Sequence, residues 1–383
     1  MDHARPAVPE RLTRPIAAIP SMGVEEEFLL IDPATGQPLM RNSQVVTTAE
    51  ELGLPLQLEL SQCQIETNSA VCSDSRRLRA HLLEMRSIVA AAALDNGSEV
   101  LATGTSPIGP APMPISDTPR YRRMAERFGA LVHEQAICGC HVHVDAPDRE
   151  TAVQVCNHVR PWLPTLLALG ANSPLYNGTD TGYASWRTIL WSRWPVSGPP
   201  PYFDSALEYD TTVATMIDSG CLLDEKMVYW DIRPSSHLPT VEIRVSDVQQ
   251  TVDETTLIAI LARALVMTAQ WSIDRDDPAP KIAVETLRVA NWMSARNGLI
   301  GDGLDPHTAR AVPISLQIEL LLDHIRDALD ELGEAHRVKA ALERSLVNGN
   351  GAIWQRSALL RNQCVADMVK TAARRTLRDS EPE

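Results

Sequence analysis

The segment Gly23-Val24-Glu25-Glu26-Glu27-Phe28-Leu29-Leu30-Ile31-Asp32 decides the fold prediction for this chain. Most of its residues are apolar or β-forming, and the turn residues Asp32-Pro33-Ala34-Thr35-Gly36 end it, so it predicts a strand. Because side chains alternate between the faces of a strand, Glu25 and Glu27 share one face and Glu26 lies on the other. Two carboxylates on one face repel each other unless a positive group, such as a divalent cation, holds them together. These residues alone leave a second interpretation open, a solvated edge strand with a cluster of charges.

The composition is that of a globular chain with an acidic surface. At 383 residues and 44% apolar content, the chain can bury a core as one large domain or as two to three ordinary ones. The net charge of -14 argues against a nucleic-acid backbone or an anionic membrane as the main partner, although a metal could still mask the phosphates of ATP. No apolar run approaches the length of a membrane span, and the run over 88–94 is far too short. We expect neither a nucleic-acid partner nor a membrane partner.

The cysteines and the N-terminal residues indicate a cytoplasmic protein. The seven cysteines show no disulfide spacing, and Cys138-Gly139-Cys140 is a weak zinc signal without a second pair. Reduced, buried thiols are the usual state of such residues in the cytosol. Residues 1–20 carry Arg and Pro where a signal peptide would carry an apolar core. We therefore expect a flexible extension over 1–20 and a single domain over 21–383.

Strand patterns fill the first two thirds of the chain, and helical patterns fill the last third. Further strands are predicted near 38–40, 56–60, 64–69, 99–103, 136–145, 227–233 and 240–248. Helices are predicted over 43–53, 74–96, 118–132, 149–169 (kinked at two prolines), 205–219, 253–274, 281–297, 307–330, 335–347 and 352–377. The long irregular stretch 172–201 is typical of a functional loop.

The order of these elements predicts an α+β fold with an antiparallel or mixed sheet, because short turns and not regular helices separate the strands. The βαβ rhythm of dinucleotide-binding folds is absent from the sequence, as is a GxxxxGK phosphate loop. A nucleotide would therefore have to be held in another way.

Four predicted strands carry chemically matched residues two positions apart, and therefore on one face. These pairs are Glu25 and Glu27, His141 and His143, Asp231 and Arg233, and Glu242 and Arg244. Each pair alone fits an exposed strand face with a cross-strand salt bridge. Together, with Glu59 and Glu66 near two further strands, they predict a sheet face that binds metals and an anionic ligand. Oxygen donors dominate, which suits Mg²⁺ or Mn²⁺ better than zinc, and the arginines suit phosphate.

Eight segments, in this order, resemble the type 2 glutamate–cysteine ligase family, also called the carboxylate–amine ligases. They are GVEEE (23–27), IETN (65–68), RY to FG (120–129), GCHVHV (139–144), NSP (172–174), GTDT (178–181), WDIRP (230–234) and VEIRV (241–245). The resemblance covers about residues 21 to 380. It implies a glutamine-synthetase-like catalytic domain, in which a curved, mainly antiparallel sheet forms a funnel-shaped active site with helices packed outside. It also implies ATP-dependent formation of an amide bond, and a homodimer.

The resemblance also implies roles for particular residues. The metal ligands are expected to be Glu25, Glu27, Glu59, Glu66, His141 and Glu242. Arg233 and Arg244 fall where catalytic, phosphate-binding arginines are expected. The sequence departs from the family pattern at Glu59, where close relatives can carry Asp, and at Glu26, where an apolar residue is expected. We expect Glu26 to face away from the site and to be dispensable.

The expected reaction joins a small-molecule carboxylate to an amine through an acyl phosphate, with ATP and Mg²⁺ (or Mn²⁺) bound and with weak glutamate–cysteine ligase activity. Candidates for binding the substrate are His143 and, in the long loop, Arg187 and Arg193, although these two arginines could equally lie at the surface. The loop would keep water away from the acyl phosphate.

Three rival functions remain open from the sequence. One is a phosphotransferase on the same metal-binding sheet. Another is a metal-dependent amidohydrolase that uses His141 and His143 together with Asp145. The third is an ATP-binding protein without catalysis, against which the complete acidic set argues.

Overall fold

The computed structural model describes residues 19–109 and 112–377. The predicted extension over 1–20 lies outside the described residues apart from Ile19 and Pro20. The strands are β1 (Met22–Ile31), β2 (Gln57–Leu58), β3 (Gln64–Asn68), β4 (Glu99–Leu101), β5 (Gly139–Asp145), β6 (Leu175–Tyr176), β7 (Thr179–Asp180), β8 (Ser197–Gly198), β9 (Tyr229–Trp230), β10 (Ile232–Pro234), β11 (Thr240–Asp247), β12 (Asp302–Asp305) and β13 (Arg310–Pro313).

Helices surround these strands and make up most of the last third. They are α1 (Asn42–Glu51), α2 (Ser75–Asp95), α3 (Pro119–Phe128), α4 (Ala130–His133), α5 (Arg149–Val159), α6 (Leu163–Leu169), α7 (Trp186–Trp191), α8 (Ala206–Asp218), α9 (Val252–Asp274), α10 (Val284–Asn297), α11 (Ile314–His324), α12 (Arg326–Glu331), α13 (Ala335–Asn348), α14 (Gly351–Asn362) and α15 (Val365–Thr376). Single 3₁₀ turns cover Arg160–Trp162 and Glu225–Met227.

The main sheet is open and antiparallel, with strand order β10-β11-β5-β1-β3-β2 and with β4 also paired to β1. One edge of β1 pairs with β3. Its other edge pairs with β5 through residues 22–26 and with β4 through residues 29–31. This arrangement confirms the α+β class, with a mainly antiparallel sheet and helices outside it. A register shift between Ile243 and Ser246 interrupts the pairing of β11 with β5.

Strand alternation sorts the side chains of the sheet into two faces. On β5 and β11, the apolar residues Val142, Val144, Val241, Ile243 and Val245 point to the helical side and share one buried core with α2, α5 and α9. The intervening histidines, glutamate and arginine point to the opposite side. Each of these strands therefore contributes apolar side chains to the core and polar side chains to one cavity.

Helix α9 is the central helix behind the sheet. Thr251 caps the N-terminus of this helix and forms a capping box with Glu254. Among the described residues, α9 alone has the length and hydropathy of a membrane span, which the sequence analysis did not anticipate. Its apolar window is 78% buried within the protein, where it packs against α2, α5 and β5. Such burial is typical of a core helix.

Three of the element predictions need correction. The helix predicted over 307–330 is wrong at its start, because β12 and β13 form a hairpin and α11 begins only at Ile314. The carboxylate of Asp305 makes this turn by accepting hydrogen bonds from the His307 N–H and the Thr308 hydroxyl. The strand predicted near 38–40 is a single bridge between Ile31 and Pro38. The irregular stretch 172–201 contains α7 and the β6–β7 hairpin.

Candidate active site

The polar face of the sheet opens into a cavity of about 270 Å³, here called the acidic cavity. Ten of the eleven residues that the sequence and the family resemblance proposed for the site line it: Glu25, Glu27, Glu59, Glu66, His141, His143, Arg187, Arg233, Glu242 and Arg244. Strand register explains this convergence. Glu25 pairs with His141 and Glu27 with Glu66 across β1, and Glu242 pairs with both His143 and Arg233 across β11.

Arg193 is the residue that the structure does not bring into the cavity. It follows the last turn of α7, and its side chain lies at the surface, 2.5 Å from a carboxylate oxygen of Glu134. Its guanidinium also donates to the backbone carbonyls of Leu190 and Glu134. The alternative of a surface arginine therefore holds for Arg193, whereas Arg187 is 3% exposed and lines the cavity.

One group of possible metal ligands, here called the carboxylate cluster, consists of Glu27, Glu59 and Glu66. Each offers an oxygen within 4.8 Å of the others. Burial raises the pKa of Glu59 to about 7, and repulsion from Glu27 adds to this effect. Burial and the neighbouring carboxylates raise the pKa of Glu66 well above its usual range. The protein thus holds three acidic groups together against their mutual repulsion, as a hard divalent cation requires.

A second group, here called the histidine cluster, consists of Glu25, His143 and Glu242, whose ligand atoms also lie within 4.8 Å of one another. His143 Nε2 is 3.2 Å from Glu25 Oε1. The Nδ1 atom of His143 lies 2.9 Å from the Thr240 hydroxyl, which orients the ring. Although burial favours a raised pKa for Glu25, hydrogen bonds with His141 and His143 hold the pKa of its carboxyl far below the usual range. From the sequence, His143 is a candidate for binding the substrate, and in the structure it is also a potential metal ligand.

His141 lies between the two clusters. Its Nδ1 is 3.0 Å from Glu25 and 3.8 Å from Glu242, and its Nε2 is 3.9 Å from Glu27. Burial, reinforced by the charge of Arg244, lowers the pKa of His141 to about 3, so the ring is neutral at physiological pH. Nε2 is buried without a hydrogen-bond partner among the described residues. A neutral imidazole whose unused nitrogen lies 3.9 Å from Glu27 can serve as a further ligand at the carboxylate cluster.

Two of the arginines are held close to the histidine cluster. Arg233 donates from Nε to Glu242 (2.7 Å) and from Nη1 to the carbonyls of Lys226 and Val228 (2.9 Å each). Arg244 donates to the other oxygen of Glu242. Burial, together with the nearby charge of Arg233, lowers the pKa of Arg244 to about 9. Glu242 therefore holds the guanidinium groups of Arg233 and Arg244 in fixed positions, where they can bind an anion.

Arg187 enters the cavity from the first turn of α7, and a buried carboxylate that the sequence analysis missed positions this turn. Asp247 accepts hydrogen bonds from the Asn172 N–H and from the hydroxyls of Ser173 and Ser185, at 2.7–2.8 Å. The Ser173 hydroxyl in turn accepts from the Arg187 N–H (3.1 Å). Asp247 therefore anchors both ends of the segment that leads to Arg187.

The Arg187 guanidinium passes β5 closely at Gly139, so a side chain there would displace it. A Cβ atom at Gly139 would lie 2.3 Å from Nη2 of Arg187. The same glycine donates its N–H to Glu27 Oε2 (2.6 Å). Other lining residues that the sequence analysis did not assign are Arg120, Tyr121, Trp191, Lys226 and His237. Only Arg120 and Tyr121 carried a signal, since they lie in a segment that supported the family resemblance.

The acidic cavity combines clustered carboxylates with fixed cations. Five glutamates line it (Glu25, Glu27, Glu59, Glu66 and Glu242) beside the inner arginines Arg187, Arg233 and Arg244. The donor set of carboxylates and imidazoles fits Mg²⁺ or Mn²⁺, and the arginines fit a polyphosphate. The arrangement can hold a metal–phosphate complex beside a small acid, which is the chemistry of ligases that activate a carboxylate.

The fold agrees with this class. A glutamate–cysteine ligase of Francisella tularensis, solved in complex with AMP, superposes with a TM-score of 0.70 at 15% identity, over 94% of this chain and 89% of that one. A bifunctional glutathione synthetase of Pasteurella multocida superposes equally well, over 94% of this chain and 52% of the longer protein. The chain therefore has the fold of the glutamate–cysteine ligases.

The sequence comparisons identify the particular family. The model of glutamate-cysteine ligase family 2 (GCS2) matches residues 21–374. A relative from Nocardia farcinica, "Putative glutamate--cysteine ligase 2-1", is 52% identical over 364 residues, 95% of each chain. Another from Mycolicibacterium vanbaalenii, "Putative glutamate--cysteine ligase 2-2", is 49% identical over 94% of this chain and 99% of its own length. The chain belongs to glutamate–cysteine ligase family 2, and it is an ATP-dependent C–N ligase.

Proposed function

We propose that the protein joins a small-molecule carboxylate to an amine through an acyl-phosphate intermediate, at the expense of ATP. One observation carries this proposal: the carboxylate cluster and the histidine cluster lie side by side, with three arginines next to them. Activation of a carboxylate by ATP brings several anionic groups together. This cavity provides ligands for metal ions that can neutralise those groups, and it also provides guanidinium groups in fixed positions.

The first step forms the acyl phosphate. A carboxylate oxygen of the substrate attacks the γ-phosphorus of ATP, and the bond between that phosphorus and the β–γ bridging oxygen breaks to release ADP. Arg233 and Arg244 stabilise the charge of the transferring phosphoryl group. Glu242 holds both guanidinium groups in place through its two oxygens. These residues are therefore positioned before the reaction begins, which avoids reorganisation in the transition state.

The second step forms the amide. The amine nitrogen attacks the acyl carbon, the C–O bond to phosphate breaks to release inorganic phosphate, and the nitrogen loses a proton to the departing phosphate or to solvent. Arg187 is the candidate for orienting the substrate carboxylate, since it is buried, lines the cavity and lies over Trp191 with its guanidinium carbon 5.7 Å from the ring centroid. Arg187 and Trp191 line this side of the cavity, where they would help to keep water away from the acyl phosphate.

We infer that the two clusters hold Mg²⁺ or Mn²⁺. Glu27, Glu59 and Glu66 would form one site, and Glu25, Glu242 and a histidine would form the other. When bound, these ions would neutralise phosphate oxygens and polarise the transferring group. The observation that supports them is the approach of the ligand atoms to within 4.8 Å of one another in each cluster, together with the unused Nε2 of His141.

The experiment is a matrix of carboxylates and amines incubated with ATP and Mg²⁺, with phosphate release and the mass of the amide both measured. Glutamate and cysteine belong in the matrix, and we expect weak activity with this pair. Hydroxylamine in place of the amine should give a hydroxamate, because it traps an acyl phosphate. Arg193→Ala serves as the control, since Arg193 lies outside the cavity. A phosphorylated product without an amide would instead indicate a phosphotransferase, and phosphate release without hydroxamate would contradict the intermediate.

The amidohydrolase alternative receives no support. Enzymes of that kind place a His pair on the first strand of a β/α barrel, whereas His141 and His143 lie on an inner strand of an open antiparallel sheet. We also propose a cytoplasmic homodimer, on the basis of the family resemblance and the reduced cysteines. Light scattering of the purified protein tests the oligomeric state directly.

A further inference from the structure

A cavity of about 720 Å³ lies between the helices α2, α9 and α13 and is here called the arginine pocket. Each helix contributes residues spaced three or four positions apart, so one face of each helix lines the pocket. Among the described residues, none lines both this pocket and the acidic cavity. The arginine pocket is therefore a separate space, on the helical side of the sheet.

The arginine pocket concentrates positive charge on a chain whose net charge is -14. Four arginines and two carboxylates line it, and these residues are Arg76, Arg79, Arg337, Arg344, Asp253 and Glu334. These side chains leave a surplus of two positive charges in the lining. A concave surface with such a surplus attracts anions, and the effect is stronger because the rest of the protein is acidic.

Two ion pairs between the helices account for both carboxylates of the pocket. The Nε atom of Arg79 on α2 lies 2.5 Å from a carboxylate oxygen of Asp253 on α9. Glu334, which precedes α13, lies 3.6 Å from the Nε atom of Arg337 and also accepts a hydrogen bond from the Ser75 hydroxyl of α2. Each pair uses one arginine for one carboxylate, so holding the helices together does not explain the surplus of positive charge.

The size and the floor of the pocket indicate what kind of anion would fit. Pockets that enclose a small molecule span roughly 300–1,000 Å³, and this one lies within that range. Leu83, Leu257 and Ile260 give it an apolar floor below the arginines. A guanidinium group binds a phosphate or a carboxylate through two hydrogen bonds. The matching ligand is a small organic molecule with two negative charges beside an apolar group.

Two of the helices that form the pocket also hold strand β1. Arg86, about two turns beyond Arg79 on α2, donates to both oxygens of Glu26. Thr255, two residues after Asp253 on α9, donates its hydroxyl to the same carboxylate at 2.7 Å. The pair of Arg79 with Asp253 joins these two helices at the pocket. An anion that draws Arg79 away from Asp253 would therefore loosen the support of Glu26.

We propose that the arginine pocket binds a small organic dianion, a phosphate monoester or a dicarboxylate with an apolar group, and that this binding inhibits the ligase. Glu26 connects the two sites, since it lies on β1 between Glu25 and Glu27 of the acidic cavity. The binding part of this inference is independent of the proposed function, whereas the inhibition rests on it.

Charge reversal at one arginine of α2 and one of α13 tests the site. Arg76→Glu and Arg344→Glu each place a negative charge in the pocket, and both positions are exposed enough to accept it. Arg77→Glu and Lys339→Glu are matched controls. Arg77 and Lys339 are exposed on the same two helices, do not line the pocket, and give the same change in net charge.

Calorimetry measures the binding of four probes to each of these proteins. Phenyl phosphate and phthalate carry a ring together with phosphate or carboxylate charges. Inorganic phosphate carries the charge alone, and benzyl alcohol carries the ring alone. Steady-state amide formation is then measured with and without the two ring-bearing anions.

We expect phenyl phosphate and phthalate to bind the wild type and both controls, and to bind Arg76→Glu and Arg344→Glu about tenfold more weakly or worse. Inorganic phosphate should bind more weakly than phenyl phosphate, and benzyl alcohol should not bind. The tighter of the two ring-bearing anions assigns the ligand to phosphate monoesters or to dicarboxylates. At saturation, it should lower kcat/KM of the wild type about fivefold, with a smaller effect on the two reversal variants.

Several results would contradict the inference. Unchanged binding in the reversal variants would place the probes elsewhere, and equal weakening in the controls would mean that the probes respond only to surface charge. Binding at the pocket with unchanged kinetics would contradict the inhibition. A wild type without ligase activity would contradict the proposed function, while calorimetry would still decide whether the pocket binds anions.

Discussion

The two faces of β1 carry the same residue type at consecutive positions and use it in opposite ways. On the helical side, Glu26 is fully buried and meets a cation of the protein, since Arg86 of α2 donates to its two oxygens at 2.5 and 3.0 Å. The Thr255 hydroxyl of α9 donates to it as well, at 2.7 Å. On the cavity side, Glu25 and Glu27 meet other carboxylates and histidines.

This difference distinguishes a structural carboxylate from carboxylates that could bind a metal ion. The counter-charge of Glu26 is Arg86, within the chain. The ion pair connects the sheet to α2, and the hydrogen bond from Thr255 connects it to α9. The carboxylate cluster holds acids together whose pKa values are raised by burial and mutual repulsion. Such an arrangement opposes folding unless an outside cation joins it, which is typical of a functional site. Substitutions on the two faces of β1 should therefore have separate effects, on activity at one face and on stability at the other.

The largest effect is expected at the cavity face. Glu27→Gln should lower ATP-dependent product formation by about a thousandfold or more, because the proposed function makes Glu27 a metal ligand at the transferring phosphoryl group. The free energy of unfolding without metal should not fall, since the substitution relieves repulsion within the carboxylate cluster. Steady-state kinetics and urea unfolding in EDTA measure the two quantities. Full activity in Glu27→Gln would contradict the metal assignment.

The helical face should respond in the opposite sense. Glu26→Gln leaves the guanidinium of Arg86 buried without its counter-charge, and breaking a buried pair in this way destabilises a protein by about 3–5 kcal/mol. Urea unfolding of the metal-free protein measures this loss. The fraction that remains folded should bind MgADP with unchanged affinity, because Glu26 does not line the acidic cavity. The expectation that Glu26 faces away from the site is confirmed, but its burial and pairing argue against its being dispensable.

How far the sequence could predict these features depends on whether they are local. Strand alternation placed Glu25 and Glu27 on one face and Glu26 on the other, because a period of two is readable within a single strand. The pair of Glu26 with Arg86 joins residues 60 positions apart, and no local pattern reveals it. The same limit applies to His143, whose membership of the histidine cluster depends on its register with Glu242.

Loops were predicted least well for a similar reason. Nothing in the spacing of Arg187 and Arg193 distinguishes the buried arginine from the exposed one. The distinction depends on Asp247, which lies 60 positions beyond Arg187 and anchors the segment that leads to it. The β12–β13 hairpin did carry a local turn signal at Asp305, but the apolar residues around it also fit a helix.

Asp247 is a third kind of buried carboxylate, different from both Glu26 and the carboxylate cluster. Asp247 is buried like Glu26, but three neutral donors satisfy it, and burial raises its pKa. Asp247→Asn should loosen the segment that carries Arg187 and raise the KM of the carboxylate substrate about tenfold, with a smaller change in kcat. The KM of ATP and the affinity for Mg²⁺ should not change. A parallel loss in all of these quantities would indicate general unfolding and not a positioning role.

The control for this prediction is Arg193→Ala. The exposed pair of Arg193 with Glu134 is of a kind that contributes about 0–1 kcal/mol, so activity and stability should both stay near those of the wild type. If Arg193→Ala raises the KM of the carboxylate as much as Asp247→Asn does, Asp247 has no special role at Arg187.

The smallest effect expected is a dependence of stability on pH between about 6.5 and 8 in the absence of metal. The folded-state pKa values of Glu59 (about 7) and Glu66 are raised above those of the unfolded chain, so the folded protein binds protons there that the unfolded chain does not. Stability is therefore lost as pH rises through this window, by roughly 1 kcal/mol. Below pH 6.5 the lowered pKa of His141 works in the opposite direction, because the unfolded chain gains the proton.

Thermal melts in EDTA should therefore show a Tm that falls between pH 6.5 and 8. The fall should be weaker in Glu59→Gln. Addition of Mg²⁺ should reverse the slope, because the ion binds the deprotonated cluster. A Tm in EDTA that does not change over this pH range would mean that the charges of the cavity face are neutralised within the protein, as they are on the helical face.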